Sequence, residues 1–429
     1  MARPGPGDEG GYHLVAFDAA GLERPDDDGL PSRRLTELAA DLAPTDVFVL
    51  SHGWFGDVPA ARQQYDRWVA AMALCEDDVA RARARGFRPL VVGVHWPSKA
   101  WGDEELGSAS FGLADGGGGA DALAASVEDV LGGSAEVRES LRTILDAARE
   151  DIVPVTLPEE VRRAYERLDA ATGLPADGEG GAPGADRDAF DAESAYQACL
   201  MAELTSFGGV SLGGLLAPLR VLTFWQMKRR ASEVGARGVA DLVAGLQSAV
   251  PTARVHLMGH SFGCIVVSAA VAGRPAGTPA VSTLMLVQGA MSLWSFCTSI
   301  PAAPERPGYF HRVVSDGLVD GPVLVTTSVH DRAVGMFYPL GAGARRQVDY
   351  APGILPTYGA IGTFGVRGPG LAVVDDDLHA VDEPYDLRAG HVYNLRADRV
   401  IATSAGVMGA HSDIARAPVA HALWQAVVR

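Results

Sequence analysis

Residues 259–263, Gly-His-Ser-Phe-Gly, have the types and spacing needed for nucleophilic chemistry. In a Gly-x-Ser-x-Gly turn a strand passes abruptly into a helix, so the serine hydroxyl stands at a strained apex. The N-terminus of the following helix favours negative charge that develops beside the serine. Here residues 255–258 have the composition of a buried strand and residues 262–267 that of a buried helix. This context predicts that Ser261 is a nucleophile.

Residues 209–213, Gly-Val-Ser-Leu-Gly, match the same pattern, so the five residues alone do not identify a nucleophile. They follow residues 195–204, whose pattern is typical of a helix rather than a strand, and they lie among further glycines. We therefore expect a loop or helix-packing role for this second match.

A nucleophilic serine needs a general base, and the base needs a carboxylate that holds its tautomer and stabilises its positive form. Where the serine lies on a strand-to-helix elbow, the chain order is serine, acid, histidine. Asp331 follows a predicted strand at residues 323–327, at the end where such an acid is expected. His411 lies in a loop just before a predicted final helix at residues 414–428. The sequence thus predicts Asp331 as the acid and His411 as the base.

Other carboxylates and histidines after Ser261 fit these roles less well. Residues 375–377 and 382–383 are acidic and are expected to form solvated loops. His379 and His391 lie nearby, but their spacing matches no familiar ligand pattern, so no metal site is expected.

The remaining histidines near predicted strands or helices are assigned structural roles. His421 falls inside the final helix, and His330 adjoins Asp331 and is expected to support it. His95 and His256 lie on or beside predicted strands and are expected in the core.

An oxyanion that forms during acyl transfer needs two backbone N–H groups already aimed at it. One donor is expected from Phe262, the residue after the nucleophile. The second is expected from residues 51–56, Ser-His-Gly-Trp-Phe-Gly, which follow a predicted strand at residues 46–50. The N–H of Trp54 is the preferred donor, with Gly53 beside it. The alternative is a plain strand-to-helix turn in which His52 only packs.

Short apolar runs alternate with helical stretches along the chain, which is typical of a mostly parallel sheet covered by helices. The predicted strands are residues 13–17, 46–50, 89–94, 254–258, 284–287, 323–327 and 392–396, and the predicted helices are residues 58–85, 231–250, 262–272 and 414–428. The fold class is therefore α/β, with a central sheet flanked by helices.

A long insertion separates the strand near residue 94 from the nucleophile strand. We expect residues 12–97 and 230–429 to form the core and residues 98–229 a helical insertion. Within it, residues 173–188 are rich in Gly, Pro and Asp and are predicted to be a flexible loop, because they offer little apolar surface to bury. The insertion either covers the core or acts as a cap over the active site.

Composition excludes several classes of function. The chain has 429 residues and a formal net charge of −17, which argues against binding a nucleic-acid backbone. Its four cysteines show no metal-ligand spacing and are expected to be reduced thiols. The N-terminus lacks the apolar segment of a signal peptide, and the most apolar window, residues 207–227, is interrupted by Pro218 and Arg220. A cytoplasmic protein without a membrane span or cofactor is expected, and the oligomeric state is not indicated.

Five motifs stand in order along the chain: His52-Gly53-Trp54, Trp96-Pro97-Ser98, residues 259–263, Asp331, and His411-Ser412-Asp413. Together they resemble the α/β-hydrolase superfamily, particularly its lipase- and esterase-like serine hydrolases. The resemblance covers about residues 12–96 and 230–429. The chain departs from the family pattern in two ways. Its turn is His-Gly-Trp rather than His-Gly-Gly-Gly. Its insertion precedes the nucleophile strand, whereas many lipase caps come after the next strand.

The resemblance implies hydrolysis of a small-molecule carboxylic ester through an acyl-enzyme. The implied roles fall on Ser261, Asp331, His411 and the backbone N–H groups of Trp54 and Phe262. Amidase, thioesterase or acyltransferase activity would use the same groups, and a catalytically silent binding protein could retain the same fold.

Overall fold

The predicted apolar runs assemble into one sheet in the computed structural model of the chain, which describes residues 11–54, 56–98, 118–150, 154–205, 214–338, 355–403 and 409–429. Eight strands form this sheet within the described residues: β1 Tyr12–Ala16, β2 Asp46–Ser51, β3 Pro89–His95, β4 Arg254–His260, β5 Thr283–Val287, β6 Val323–Thr327, β7 Val373–Asp377 and β8 Val392–Arg396. Their order is β1-β3-β2-β4-β5-β6-β8-β7, and every neighbouring pair is parallel. The prediction of an α/β fold with a parallel sheet is confirmed.

The described helices are α1 Pro31–Leu42, α2 Val58–Ala73, α3 Glu76–Ala84, α4 Gly118–Leu131, α5 Ala135–Ala148, α6 Glu159–Thr172, α7 Ala192–Thr205, α8 Ala217–Val234, α9 Ala240–Ala249, α10 Gly263–Gly273, α11 His311–Ser315, α12 Ile361–Phe364 and α13 Ala417–Val427. A π-helical turn, Gly235–Val239, joins α8 to α9. None of the described helices is long and apolar enough to cross a membrane.

Two groups of helices cover the sheet. Helix α13 packs on α2 and α3, and this group shares one apolar cluster with alternate strand residues such as Phe48, Met258 and Leu324. Helix α9 packs on α1 and on α10, and α10 also contacts β4 and β5. Successive side chains of a strand point to opposite faces of the sheet. Strands whose two faces are both covered by helices therefore have continuous apolar sequences.

The acidic run at residues 375–377 was expected in a solvated loop, and this prediction is wrong. It forms the end of β7, which is the last strand of the sheet. Charged side chains suit such a position because they discourage pairing with another chain. Asp375 accepts a hydrogen bond from Asn394 of β8 at 2.9 Å and pairs with Arg367 at 2.7 Å.

The chain divides into two compact units. The first comprises Met1–Ser98, Arg230–Gly335 and Gly359–Arg429, and it contains the whole sheet. The second comprises Lys99–Arg229 and Met336–Tyr358. The predicted insertion at residues 98–229 corresponds to most of the second unit. The unit also contains Met336–Tyr358, which lies within residues 230–429, the range that the sequence assigned to the core.

Residues 173–188 bury charged side chains within the second unit, although their composition predicts a flexible loop. Asp186 and Arg187 are 3% and 2% exposed. Arg187 donates a hydrogen bond to the Leu174 carbonyl at 3.0 Å, and Asp186 binds the ammonium of the fully buried Lys228. That ammonium also lies 4.5 Å from the ring centroid of Tyr338. Ion pairing and cation–π contacts thus stabilise a segment that has few apolar side chains.

The order of the strands places a topological switch point between β2 and β4. The chain leaves β2 toward β3 on one side and leaves β4 toward β5 on the other, so the connections diverge between β2 and β4. In open parallel sheets, ligands bind outside the carboxyl ends of strands at such a switch point. Ser51 of β2 pairs with Gly259 of β4 there, directly before the two turns that the sequence singled out.

Candidate active site

Ser261 lies at the apex between β4 and α10 in a conformation that few non-glycine residues adopt. Its φ is +55° and its side chain is 5% exposed. The Ser261 N–H donates to the Val287 carbonyl at 3.1 Å, and the Ser261 carbonyl accepts from the N–H groups of Cys264 at 3.1 Å and Ala290 at 3.3 Å. Such strain persists where the surroundings over-determine it, and it clusters at functional sites.

Close contacts between backbones explain both glycines of the pentapeptide. A Cβ at Gly259 would lie 2.3 Å from the Gly263 carbonyl oxygen. A Cβ at Gly263 would lie 2.4 Å from the carbonyl oxygen of Ser51. The elbow therefore folds back on itself and against the end of β2 without room for a side chain. The second match to the pattern, residues 209–213, lies outside the described residues.

The structure brings the predicted acid and base together. His411 Nδ1 donates to Asp331 Oδ2 at 2.7 Å, and the two residues are 7% and 1% exposed. Two backbone contacts join their loops: an isolated bridge between Asp331 and Gly409, and a hydrogen bond from the Ala410 N–H to the His330 carbonyl at 2.9 Å. Residues that are 80 apart in sequence are thus held in register at the carboxyl end of β6.

Two other histidines of this unit are also paired with buried carboxylates, and both are fully engaged. His256 contacts Asp46 through Nε2 at 3.0 Å and Thr283 through Nδ1. His421 contacts Asp78 through Nδ1 at 2.5 Å, and its Nε2 donates to a backbone carbonyl at 2.9 Å. An imidazole with both nitrogens engaged cannot accept a proton from a nucleophile, so these two pairs are structural.

His411 differs from them because only Nδ1 is engaged. Within the described residues no hydrogen bond reaches its Nε2. Since Nδ1 donates to a carboxylate, Nε2 carries the lone pair that a general base needs.

His260 holds His411 against the elbow. Its Nε2 donates to the His411 carbonyl at 2.9 Å, and the two ring centroids are 4.7 Å apart. Burial, together with the neighbouring His411, lowers the pKa of His260 well below its ordinary value, so this ring stays neutral. In the part of the chain that the structure describes, Ser261 Oγ makes no hydrogen bond. A nucleophile–base hydrogen bond often tightens only when substrate binds.

The turn after β2 lies directly against Ser261. A Cβ at Gly53 would lie 2.8 Å from the Cβ of Ser261 and 3.1 Å from the His260 carbonyl. The rings of Trp54 and Phe262 stack with their centroids 5.5 Å apart. The two residues predicted to donate N–H groups are therefore neighbours close to Ser261.

His52 orients the peptide between Gly53 and Trp54. Its ring is 1% exposed and stacks between His95, at 5.2 Å, and Trp96, at 5.7 Å. Burial, together with His95, lowers the pKa of His52 to about 3, so the ring is neutral. Its Nε2 accepts from the Trp96 N–H at 3.3 Å, and its Nδ1 then donates to the Gly53 carbonyl at 2.8 Å.

In a trans peptide the carbonyl of one residue and the N–H of the next point in opposite directions. Because the Gly53 carbonyl points to His52, the Trp54 N–H points away from it. The packing role considered for His52 in the sequence is real, and this packing also fixes the direction of the predicted donor.

Sequence reasoning missed the contributions of His260 and of Gln288, whose side-chain amide donates to Asp331 Oδ2 at 2.9 Å. The only sequence feature that could have indicated a role for Gln288 is its position, as a polar residue directly after the apolar strand β5. Among the described residues, no group of three or more His, Cys, Asp or Glu could hold a metal ion.

The neutral histidines beside the turn make stability sensitive to acid. Burial, and then the charge of Arg24, lowers the pKa of His95 from 6.5 to about 4. Below pH 6.5 the unfolded chain binds a proton that the folded His95 does not, so stability falls as pH falls from 6.5 toward 4. His95→Phe keeps an aromatic ring and removes this proton uptake. Between pH 7 and pH 5 the wild type should lose about 2 kcal/mol relative to this variant in urea unfolding.

His391→Phe is the control, since the His391 ring is partly exposed. This substitution controls for the exchange of a histidine for a phenylalanine at a partly exposed position. A constant stability difference between wild type and His95→Phe at pH 7, 6 and 5 would contradict the assignment.

The site thus consists of turns at the carboxyl ends of β2, β4, β5 and β6, together with the loop before α13. These turns carry a buried serine, a histidine–carboxylate pair and a glycine turn within one unit of the chain. Comparisons with protein-family models, with curated proteins and with solved structures give no match for this chain.

Proposed function

We propose that this protein is a serine hydrolase of the α/β-hydrolase type, which cleaves carboxylic esters through an acyl-enzyme. The observation that carries the proposal is the His411–Asp331 pair, held against the strained elbow of Ser261 with Nε2 of His411 unengaged among the described residues. A hydroxyl is a weak nucleophile by itself and is activated by an adjacent base that a third group orients.

In the first half of the reaction, Ser261 Oγ attacks the ester carbonyl carbon while His411 Nε2 takes the hydroxyl proton. The negative charge of Asp331 stabilises the imidazolium that forms. The carbonyl oxygen becomes an oxyanion, which accepts hydrogen bonds from the N–H groups of Trp54 and Phe262. When the tetrahedral intermediate collapses, the C–O bond to the alcohol breaks and the alcohol leaves with the proton from His411.

In the second half, water attacks the acyl carbon and His411 Nε2 takes a proton from it. Collapse of the second intermediate breaks the bond to Ser261 Oγ, which regains its proton from His411, and the carboxylic acid is released. The same two N–H donors serve both intermediates. The neutral His260 and His52 do not compete for these protons because burial keeps their pKa values low.

Three observations support the α/β-hydrolase type. The elbow joins a parallel strand to a helix, the acid follows the strand β6, and the chain order is serine, acid, histidine. The site also lies at the switch point of the sheet, where ligands bind in open α/β folds. Esters are proposed over amides and thioesters as the substrate class, and a panel of leaving groups separates the three.

The first test is hydrolysis of a chromogenic short-chain ester by Ser261→Ala. Because this substitution removes the nucleophile, kcat should fall by a factor of about 10⁴ or more. His411→Ala should cause a similar loss, and adding it to Ser261→Ala should cause little further loss, since the residues act as a unit.

Ser268→Ala is the matched control. Ser268 lies in α10, is fully buried, and its hydroxyl makes no hydrogen bond among the described residues. This variant should keep the wild-type rate. Turnover by Ser261→Ala within tenfold of wild type would refute the proposed nucleophile.

The second test concerns the donor turn. Gly53→Ala places a methyl group against Ser261 and His260, so the turn must shift away from the nucleophile. Loss of one oxyanion donor typically costs about 10²- to 10³-fold in kcat, and we expect a loss of this size with ester substrates. The measurement is kcat, together with the thermal unfolding midpoint.

Gly245→Ala controls for the change of glycine to alanine. Gly245 lies in helix α9, and a Cβ there would contact only a Thr36 methyl, at 3.5 Å. This variant should be unchanged in kcat and stabilised by about 0.5–1 kcal/mol. An unchanged kcat in Gly53→Ala would show that the turn does not supply the donor.

A further inference from the structure

Gln288 occupies an unusual position at the carboxyl end of β5. It is fully buried, and its φ of +46° is in the left-handed region. Among the described non-glycine residues only Ala43 and Ser261 share such a φ. Its backbone N–H donates to Thr326 Oγ1 at 3.0 Å. Strain of this kind persists where neighbouring contacts impose it.

The orientation of the Gln288 amide follows from its two partners. The Thr326 hydroxyl accepts the Gln288 N–H and donates its own proton to Gln288 Oε1 at 3.1 Å. The opposite end of the amide, Nε2, donates to Asp331 Oδ2 at 2.9 Å. An ionised carboxylate can only accept, so the nitrogen must be the end that faces Asp331.

Asp331 consequently receives donors at both oxygens. Oδ2 accepts from Gln288 Nε2 and from His411 Nδ1, and Oδ1 accepts from the Val334 N–H at 3.2 Å. Three donors from three segments prevent the carboxylate from rotating about its own axis. The Nδ1–H of His411 therefore has an acceptor, Asp331 Oδ2, in a fixed position.

The same segment also holds the nucleophile. The carbonyl of Val287 accepts the Ser261 N–H, and the N–H of Ala290 donates to the Ser261 carbonyl. Residues 287–290 therefore contact the elbow through their backbone and the acid through the Gln288 side chain.

We propose that Gln288 is a positioning residue for the base, acting through Asp331. It fixes the carboxylate so that His411 keeps the tautomer with the lone pair on Nε2, while the flanking Val287 and Ala290 hold the elbow through their backbone groups. The inference rests on the proposed hydrolase function. A merely structural amide would contribute to folding without affecting the rate of the chemical step.

The test compares Gln288→Met with Gln247→Met in ester hydrolysis. Methionine has nearly the length of glutamine and cannot donate. Gln247 is also buried and its amide is also hydrogen-bonded, to Arg274 and to the Pro279 carbonyl, but it lies on α9. Loss of a hydrogen bond to a charged group costs about 10- to 100-fold, so kcat of Gln288→Met should fall by that factor with KM within about threefold. Gln247→Met should keep the wild-type kcat.

A double-mutant cycle with Asp331→Asn separates positioning from folding. Because Gln288 acts through the Asp331 carboxylate, Gln288→Met should cause less than a twofold further loss of kcat in the Asp331→Asn background. Thr326→Val, which is isosteric and lies in β6, provides a second variant. It removes the hydroxyl that orients the amide, and kcat should fall about fivefold in the wild-type background.

The proposal is overturned if Gln288→Met loses no more activity than Gln247→Met, or if its loss is as large in Asp331→Asn as in the wild type. It is also overturned if Thr326→Val keeps the wild-type kcat. If wild-type hydrolysis proves independent of Ser261, the proposed function itself fails, and the role of Gln288 with it. These outcomes are distinguishable because Ser261→Ala is measured in the same assay.

Discussion

The close approach of two backbone segments is the constraint on which the rest of the site depends. Gly263 lies so near the carbonyl of Ser51 that no Cβ fits between α10 and the end of β2. The elbow is consequently pressed into the switch point of the sheet, and Ser261 is left with a positive φ at its apex. The strain is sustained by hydrogen bonds from β5 and from the loop that follows it. The Ser261 hydroxyl therefore lies at the carboxyl ends of the strands, and backbone contacts set its position.

Burial and the hydrogen bonds of the ring nitrogens together distinguish the histidines of this unit. Among the described residues of this unit, three histidine–carboxylate pairs are buried. Two of them use both ring nitrogens and join elements of the core. Among the described residues, the ring of His411 uses only Nδ1, and the pair lies beside the elbow. His52 and His260, which lie in the turns beside Ser261, are kept neutral by burial, and both hydrogen-bond to backbone carbonyls. Histidine–carboxylate pairs thus have two uses in this unit. The two pairs with both ring nitrogens hydrogen-bonded support the core, and the His411 pair is the one proposed to act as the base.

Much of this arrangement could be predicted from the sequence. Parallel strands produce continuous apolar runs, so seven of the eight strands were predicted, and the pairing of Asp331 with His411 followed from their positions after β6 and before α13. Strand β7 was missed because its residues are acidic, a composition that suits an exposed edge but resembles a loop. The buried charges at residues 173–188 were missed because Lys228 and Tyr338, distant in sequence, stabilise Asp186. The contact of Gln288 with Asp331 depends on a left-handed φ, which no pattern of residue types indicates.

Covalent labelling tests the central claim most directly. A fluorophosphonate reacts with a serine only where a base activates the hydroxyl and an oxyanion site accepts the phosphonyl oxygen. Peptide mass mapping of the labelled wild-type protein should place a single adduct on Ser261, and the same treatment of His411→Ala should give no adduct. Labelling at a different serine, or none at Ser261 in the folded wild type, would contradict the account.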